Sequence, residues 1–458
     1  MGGSFYRFLY NVKLAPHEII KVNIIGIFVL NMFLTIWNVF LPININAFYI
    51  TLIPIILSFS KIPKIFVFSQ TKRFININPF ITFFLFVTSL MWISNLCLGA
   101  PQYEPMYHIQ KIRWAQEYPL TPGLANLHSH FGFDSSLFLM IAFFDYIINF
   151  SITNFSGYLL TLCFLYFFII PFYIICENKS RLKGSILMRL LITPLIVYFC
   201  FYRSGSTNTD LFSSFFGLFV AVNLFELIIE EKKDFIFFFL NLVLGFSAKL
   251  SFLPILILSV IVLLLNRSKF LEEKTTRPKI FFFVFIIGIS LQLHRNIILT
   301  GYPLYPRDFL PFPVEWKVPP KNIKLLNNVL DSFPVGLPEM NPNYHQDKKD
   351  WLKGRFLIQH RRIETLYPTL FGIGGLLLTV KRKKIYDLIK IIIFAIPAFG
   401  QILFFLILAP DGRFANFAFW WFGAGCLSQS LKDIFLDKQR NLIAFAIFIL
   451  FFYFSIHS

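Results

Sequence analysis

Charged residues are scarce in this chain of 458 residues. Asp, Glu, Lys and Arg together make up only 14% of it, whereas 56% of the residues are hydrophobic and the mean hydropathy is +0.66. A single soluble core of this size cannot bury so much apolar surface. The composition therefore excludes a soluble cytosolic enzyme and a disordered chain. It predicts an all-α polytopic membrane protein that forms a single transmembrane domain over residues 1–458.

Cysteine is also scarce, and several catalytic signatures are missing. The five cysteines lie in or at the ends of apolar runs, and none forms a C-x-x-C pair: Cys97, Cys163, Cys176, Cys200 and Cys426. This distribution excludes a secreted disulfide scaffold, and we interpret these residues as small hydrophobic side chains. The sequence has no Gly-rich phosphate loop, no Ser-His-Asp order and no dinucleotide-binding fingerprint, so nothing in it indicates the use of ATP.

Apolar runs near the ~20 residues needed to cross a bilayer recur along the chain. Thirteen of them are predicted spans: 20–41, 43–59, 79–98, 155–176, 186–202, 210–229, 235–248, 252–265, 280–297, 364–380, 386–408, 414–431 and 441–456. The run 135–150 is short and contains Asp145, so we interpret it as a helix lying at the outer membrane interface. Glycines in two spans predict close helix packing: Gly372, Gly374, Gly375, Gly423 and Gly425.

Basic residues outnumber acidic ones by 42 to 24, which gives a net charge of +18. On a soluble domain this charge would suggest nucleic acid, but here we interpret it as loop anchors and expect no nucleic acid partner. If 135–150 does not cross, 26 of the Lys and Arg residues fall on one side of the membrane. The positive-inside rule then places the N-terminus in the cytoplasm and the C-terminus outside. Two long segments, 99–154 and 294–363, become outer loops.

The first outer loop concentrates polar side chains just above the membrane. Glu104, Tyr107, His108, Lys111 and Arg113 lie within ten residues. If a helix begins here, His108 and Lys111 share one face. A carboxylate beside a histidine and an arginine suits a general base that faces a phosphorylated lipid. The alternative is that Glu104 caps the helix and Tyr107 anchors it at the interface.

A second group in the same loop contains residues of the types that bind metals. His128, His130 and Asp134 are closely spaced, but their pattern matches no zinc signature. Three interpretations stay open: a divalent metal site, hydrogen bonding to a substrate, or a plain structural role that includes capping the following helix. We expect no cofactor, with the divalent metal as the open alternative.

Three cations lie at the predicted outer ends of spans. Lys249, Arg295 and Arg413 all emerge on one side in this topology, and Asp411 is close to Arg413. Cations that converge on one face suit a phosphate or pyrophosphate group. Lys249 also marks the predicted joint between the two short helices of 235–265. The alternative is structural pairing of neighbouring charges at helix ends: Asp411 with Arg413 and Asp210 with Arg203.

Five stretches resemble the motifs of a bacterial family of polytopic membrane proteins without an assigned function: Tyr103–Trp114, Pro122–Ser136, Lys249–Pro254, Arg295–Pro306 and Ala409–Phe414. The arrangement is also similar to that of the GT-C glycosyltransferases, which use polyprenyl-phosphate-linked sugars. The resemblance implies a GT-C-like fold in the bacterial inner membrane. It also implies that the acidic residue of the first outer loop, here Glu104, is catalytic.

The resulting hypothesis is an inverting glycosyltransferase of cell-envelope polysaccharide synthesis. Its partners would be a polyprenyl-phosphate sugar donor, a glycan or lipid acceptor, and the lipid bilayer. Substrate binding is expected from Tyr107, His108, Arg113, His128, Asp134, Lys249, Arg295, Asp411 and Arg413. Two alternatives stay open, namely a flippase or transporter of lipid-linked glycans and an O-antigen polymerase or ligase.

The charge distribution makes the topology testable. It predicts that 266–279 is cytoplasmic and that 300–360 is extracytoplasmic. In a cysteine-free background, a cysteine at Asn328 should react with a membrane-impermeant thiol reagent in intact cells. A cysteine at Thr275 should react only after permeabilisation. Labelling at Asn328 only after permeabilisation would contradict the predicted orientation.

Overall fold

Helices and short connections make up the part of the chain that the structure describes. The computed structural model describes residues 18–59, 107–148, 154–177, 183–202, 206–232, 234–265, 277–332, 362–382, 385–408 and 414–432. These ranges contain no strand, and they are all-α as the composition predicts. The predicted spans 79–98 and 441–456 lie outside them.

Six of the described helices are long and apolar enough to cross a membrane: Ile19–Phe40, Phe155–Phe172, Thr209–Ile228, Phe282–Thr300, Ile363–Lys381 and Ile385–Ile407. Shorter apolar helices occupy Ser136–Tyr146, Gly184–Cys200, Phe235–Ala248 and Leu250–Leu265. This protein is therefore a helical membrane protein. The count of thirteen spans and their orientation stay predictions.

The chain divides into two compact units. Unit 1 comprises Met1–Thr121, Ser135–Ile170 and Cys200–Asn208, and unit 2 comprises the rest: Pro122–Asp134, Pro171–Phe199 and Thr209–Ser458. The helices of unit 1 are α1 (Ile19–Phe40), α2 (Ile45–Phe59), α3 (His108–Glu117), α4 (Ser136–Ile148) and α5 (Asn154–Phe164), which continues into a π-helical turn at Leu165–Ile169.

Helix α4 lies in the core of unit 1. Its residues 137–142 are at most 2% exposed, and it packs against α1, α2 and α3. Asn31 of α1 and Ser136 of α4 exchange hydrogen bonds of 2.9 and 3.1 Å. A helix of 13 residues is about 20 Å long, short of the ~30 Å hydrocarbon core. The helices α9 and α10 are similarly short, so length does not decide the interfacial placement of 135–150, which stays a prediction. Protein covers residues 137–142.

Unit 2 contains most of the remaining helices. They are α6 (Ile170–Glu177), α7 (Gly184–Tyr202), α8 (Thr209–Ile228), α9 (Phe235–Ala248), α10 (Leu253–Leu265), α11 (Arg277–Thr300), α12 (Pro320–Ser332), α13 (Tyr367–Lys381), α14 (Ile385–Leu408) and α15 (Asn416–Leu431). Short 3₁₀ turns occupy Leu124–Asn126, Ser129–Gly132 and Leu250–Phe252, and a π-helical turn precedes α13 at Arg362–Leu366.

Helix α8 lies at the centre of unit 2. Every side chain from Leu211 to Ile228 is buried, and α9 and α15 pack directly against it. Most of these side chains are apolar, as expected of a helix surrounded by other helices, and four are polar: Ser213, Ser214, Asn223 and Glu226. The break between α9 and α10 falls at Lys249, whose backbone is extended. The sequence predicts two short helices in this region, and the structure confirms them.

Two glycines allow α13 and α15 to touch through their backbones. A Cβ atom at Gly375 would lie 2.5 Å from the carbonyl carbon of Cys426, and one at Gly423 would lie 2.2 Å from the carbonyl oxygen of Pro368. The close approach also joins Thr379 Oγ1 to Ser430 Oγ at 2.7 Å. Small residues at membrane helix contacts allow this kind of packing.

Gly374 provides a matched control for this contact, because a Cβ there would meet nothing within 4 Å. Gly375→Ala should force α13 and α15 apart and destabilise the protein by roughly 1–3 kcal/mol. Gly374→Ala should be neutral or stabilising by up to ~1 kcal/mol, because alanine favours a helix interior. Thermal unfolding in detergent measures both changes. Equal unfolding temperatures for the two variants would contradict the backbone contact.

Candidate functional site

Helix α3 carries the first group of predicted site residues. Its buried face includes His108, Lys111, Ile112 and Ala115, which are spaced at i, i+3, i+4 and i+7. The shared face predicted for His108 and Lys111 is therefore confirmed. Arg113 is exposed on another face, so the structure separates it from these two side chains.

His108 and Lys111 meet around one aromatic ring in unit 1. The Phe138 ring lies 5.3 Å from the His108 ring and 5.9 Å from the Lys111 Nζ atom. His108 Nδ1 lies 3.1 Å from Thr207 Oγ1, and the ring of Tyr107 meets the imidazole edge-on at 4.1 Å. Packing and hydrogen bonding thus fix the position of this histidine. Glu104 lies outside the described residues.

His128 and His130 lie beside a short 3₁₀ turn in unit 2. Their rings are 5.2 Å apart; His128 is exposed and His130 is half-buried. Burial, and next the neighbouring His128, lower the pKa of His130. A lowered pKa keeps this imidazole neutral at pH 7. It can therefore accept or donate a hydrogen bond there, but it does not supply a positive charge.

Tyr305 fixes the backbone of this turn. Its hydroxyl donates a 2.9 Å hydrogen bond to the carbonyl oxygen of Ser129. Its ring packs so closely on Gly132 that a Cβ there would lie 2.4 Å from a ring carbon. Burial raises the pKa of Tyr305, so the hydroxyl stays protonated and continues to donate.

Asp134 forms a buried ion pair with Arg295 instead of joining the two histidines. Arg295 Nε lies 2.8 Å from Asp134 Oδ2, and Nη2 lies 3.3 Å from Oδ1. Gln292, one helical turn earlier on α11, donates to the same carboxylate at 3.2 Å. The side chains of Asp134 and Arg295 are 1% and 2% exposed. The pair therefore joins the 122–134 segment to the end of α11.

This ion pair bears on the predicted role of Arg295. The guanidinium is buried and already donates two hydrogen bonds to a carboxylate, so a phosphate could reach it only if the pair opened. Breaking a buried ion pair on one side leaves an uncompensated charge and costs about 3–5 kcal/mol. The geometry favours a structural role for Asp134 and Arg295, and phosphate binding by Arg295 stays a prediction.

Lys249 is more accessible than Arg295, the other described cation that the sequence predicts to bind a phosphate. It lies at the break between α9 and α10, and its side chain is 25% exposed. Its ammonium group forms an ion pair with Asp210 and lies 4.2 Å from the centre of the Phe414 ring. The structure thus gives Asp210 a partner in Lys249. Arg203, the partner weighed for Asp210 from the sequence, lies outside the described residues, as do Asp411 and Arg413.

A buried polar chain that the sequence analysis did not single out extends from this pair. Ser214 Oγ lies 2.7 Å from the carbonyl oxygen of Asp210 and 2.9 Å from Asn416 Oδ1. The Asn416 amide in turn donates to Glu364 Oε1 at 3.3 Å. Glu364 is 1% exposed and lies in the π-helical turn before α13. The sequence does contain a signal for this group. Glu364 is an acidic residue at the start of an apolar span, and such residues are usually functional or paired.

Unit 2 thus brings together a partly exposed cation, its carboxylate partner and an aromatic ring, with buried hydroxyl, amide and carboxyl groups behind them. A lysine ammonium can bind a phosphate oxygen by a charge-assisted hydrogen bond. An aromatic face beside it suits an apolar or sugar-ring surface. This arrangement is the candidate functional site.

The described residues offer little for a metal ion. Among them, no group of three or more His, Cys, Asp or Glu side chains could hold one. His128 and His130 could supply two imidazole ligands, but the carboxylate of Asp134 is engaged with Arg295.

A family match covers nearly the whole chain. Residues 1–421 match the family described as "Domain of unknown function (DUF8201)". The chain belongs to this family. No curated protein and no solved structure matches it. The matched range includes every site residue that the sequence predicts. It also includes Asp210, Glu364 and Asn416.

The Asp134–Arg295 pair can be tested by a double-mutant cycle. Arg295→Met should destabilise the protein by about 3–5 kcal/mol, because it leaves the buried Asp134 without its cation. Adding Asp134→Leu should recover much of that loss, since both charges are then gone. Thermal unfolding in detergent measures each variant, with Arg307→Met, at an exposed arginine, as the control. An Arg295→Met variant as stable as the control would argue against the structural role.

Proposed function

We propose that this protein is a membrane glycosyltransferase. It would move a sugar from a polyprenyl-phosphate donor to a cell-envelope glycan or lipid acceptor on the extracytoplasmic side. The observation that carries the proposal is the position of Lys249. A partly exposed lysine at the break between two short apolar helices, beside Asp210 and Phe414, can meet a phosphate whose lipid tail stays in the bilayer.

The reaction needs only groups that the chain and its substrates supply. A general base takes the proton from an acceptor hydroxyl, the role that the GT-C resemblance implies for Glu104, and that oxygen attacks the anomeric carbon of the donor sugar. The new carbon–oxygen bond forms as the bond from the anomeric carbon to the phosphate oxygen breaks. The lipid phosphate leaves with its electron pair, and Lys249 stabilises its negative charge. Inversion at the anomeric carbon follows from a single displacement.

The pairing of charges in the apolar helices favours a glycosyltransferase over a flippase. A transporter of lipid-linked glycans would need a basic path running through its spans. Arg189 and Glu226 are ionisable residues in the apolar helices of unit 2, and they bond to each other at 2.8 Å. Lys232 bonds to the same carboxylate at 2.7 Å. Lys232 also pairs with Glu230 at 3.1 Å. The two cations are therefore balanced by two carboxylates, which supports a local site near Lys249 rather than a continuous basic path.

The role of Glu104 predicts a defect in turnover. Glu104→Gln keeps the size and hydrogen bonding of the side chain but removes the proton acceptor, and loss of a general base costs about 10²–10⁴ in rate. Donor binding should stay close to normal. The measurement is transfer from a polyprenyl-phosphate sugar in liposomes, with Glu117→Gln, an exposed carboxylate in the same loop, as the control. Normal transfer by Glu104→Gln would reduce Glu104 to a helix cap.

The role of Lys249 predicts a defect in affinity instead. Lys249→Met should weaken binding of the polyprenyl-phosphate donor about 10–100-fold, because a charge-assisted hydrogen bond is worth about 1.5–3 kcal/mol. Lys183→Met removes an exposed lysine just before α7 and should leave donor binding unchanged. Unchanged donor affinity in Lys249→Met, in a variant with normal thermal unfolding, would contradict the proposed site. Lipid-linked sugar that crosses the liposome without reaching any acceptor would favour the flippase.

A further inference from the structure

The connection between α11 and α12 exposes large apolar side chains. Phe309 and Leu310 are each 59% exposed, Phe312 is 43% exposed and Trp316 is 37% exposed. None of the four belongs to the apolar cluster that holds this segment together, which consists of Ala125, Tyr302, Tyr305, Val318, Ile323 and Leu326. These four side chains are therefore exposed without being part of the packing that holds the segment together.

Backbone hydrogen bonds place this surface at the end of a candidate membrane span. The span Phe282–Thr300 ends where the segment begins. The Phe312 N–H donates to the carbonyl oxygen of Gly301 at 2.9 Å, and the Val318 N–H donates to that of Thr300 at 2.9 Å. The segment thus leaves the end of α11 and returns to it twice, so its apolar tip lies beside the point where α11 ends.

Helix α12 adds a second apolar stripe to the same segment. Ile323 and Leu326 point into the cluster with Tyr302 and Tyr305. Leu325 and Val329, four residues apart, lie on an adjoining face and are 56% and 53% exposed. Exposed lysines at 321 and 324 flank this stripe. Apolar side chains bordered by lysines are typical of helices that lie in the interface of a bilayer.

The backbone conformation of Leu310, at the tip of this connection, is a second unusual feature. Its φ is +52°, in the left-handed region that bulky residues rarely adopt. Burial in the core does not offset the energetic cost of this conformation, because the Leu310 side chain is largely exposed. Unusual backbone conformations of this kind concentrate at functional positions. Trp316 nearby is a residue type enriched at membrane–water interfaces.

We propose that the surface formed by Phe309, Leu310, Phe312, Trp316, Leu325 and Val329 lies in the phospholipid headgroup region of the membrane that α11 spans. The segment would thus anchor the extramembrane part of unit 2 to the leaflet. A lipid surface fits better than a protein partner, since the patch continues directly from a membrane span and is bordered by lysines that suit lipid phosphates. This inference does not depend on the glycosyltransferase reaction.

Fluorescent probes at single cysteines test the proposal. In a cysteine-free full-length protein, the environment-sensitive dye NBD is attached to Phe312→Cys, Val329→Cys or Asn328→Cys. Each variant is reconstituted into vesicles of phosphatidylcholine and phosphatidylglycerol. Val329 and Asn328 are adjacent and both exposed, so they differ mainly in the helix face that carries the dye. Thermal unfolding confirms that each variant is folded.

The probes at 312 and 329 should emit at shorter wavelength than the probe at 328. They should be quenched by lipids that carry a spin label near the headgroup and be severalfold less sensitive to aqueous iodide. Iodide quenching at 312 and 329 as strong as at 328, with no quenching by lipid, would show a surface in water and overturn the proposal. Blue-shifted probes that neither quencher reaches would show a surface covered by protein, which would overturn it equally.

Discussion

The buried ion pair between Asp134 and Arg295 joins the 122–134 segment of unit 2 to the end of α11. Neither charge could stay ionised alone in such a setting, because desolvation of an isolated ion is far too costly. Around the pair, the end of α11 also accepts hydrogen bonds from Gly123 and Val318. The 122–134 segment and the connection to α12 are therefore both positioned by the end of one helix.

The Lys249–Asp210 pair works under a different constraint, because its lysine is partly exposed. A phosphate that enters must compete with the Asp210 carboxylate for the ammonium group, and the two anions repel each other at short range. Binding is then favourable only if the phosphate gains further partners or if Asp210 turns away. The hydrogen bond from Ser214 goes to the backbone carbonyl of Asp210, so the carboxylate can move without disturbing that bond.

Local patterns in the chain predicted the local structure well. The break at Lys249 and the shared face of His108 and Lys111 both follow from short-range spacing, which helix geometry translates directly into position. The pairing of Asp134 with Arg295 joins residues 161 positions apart, and no periodicity encodes that contact. The same holds for Glu364 and Asn416, whose pairing depends on how α13 and α15 pack. The predicted substrate-binding residues were thus chosen by type, whereas the tertiary fold decides which of them are already engaged.

The backbone contact between α13 and α15 also limits how unit 2 can move. Helices separated by long side chains can slide or rotate by changing rotamers, but backbones in direct contact have no side chains to rearrange. The ends of the pair are tied as well, since Glu364 before α13 bonds to Asn416 at the start of α15. Opening around Lys249 would then involve α8, α9 or α10, or the side chains of Asp210 and Phe414, while α13 and α15 keep their relative position.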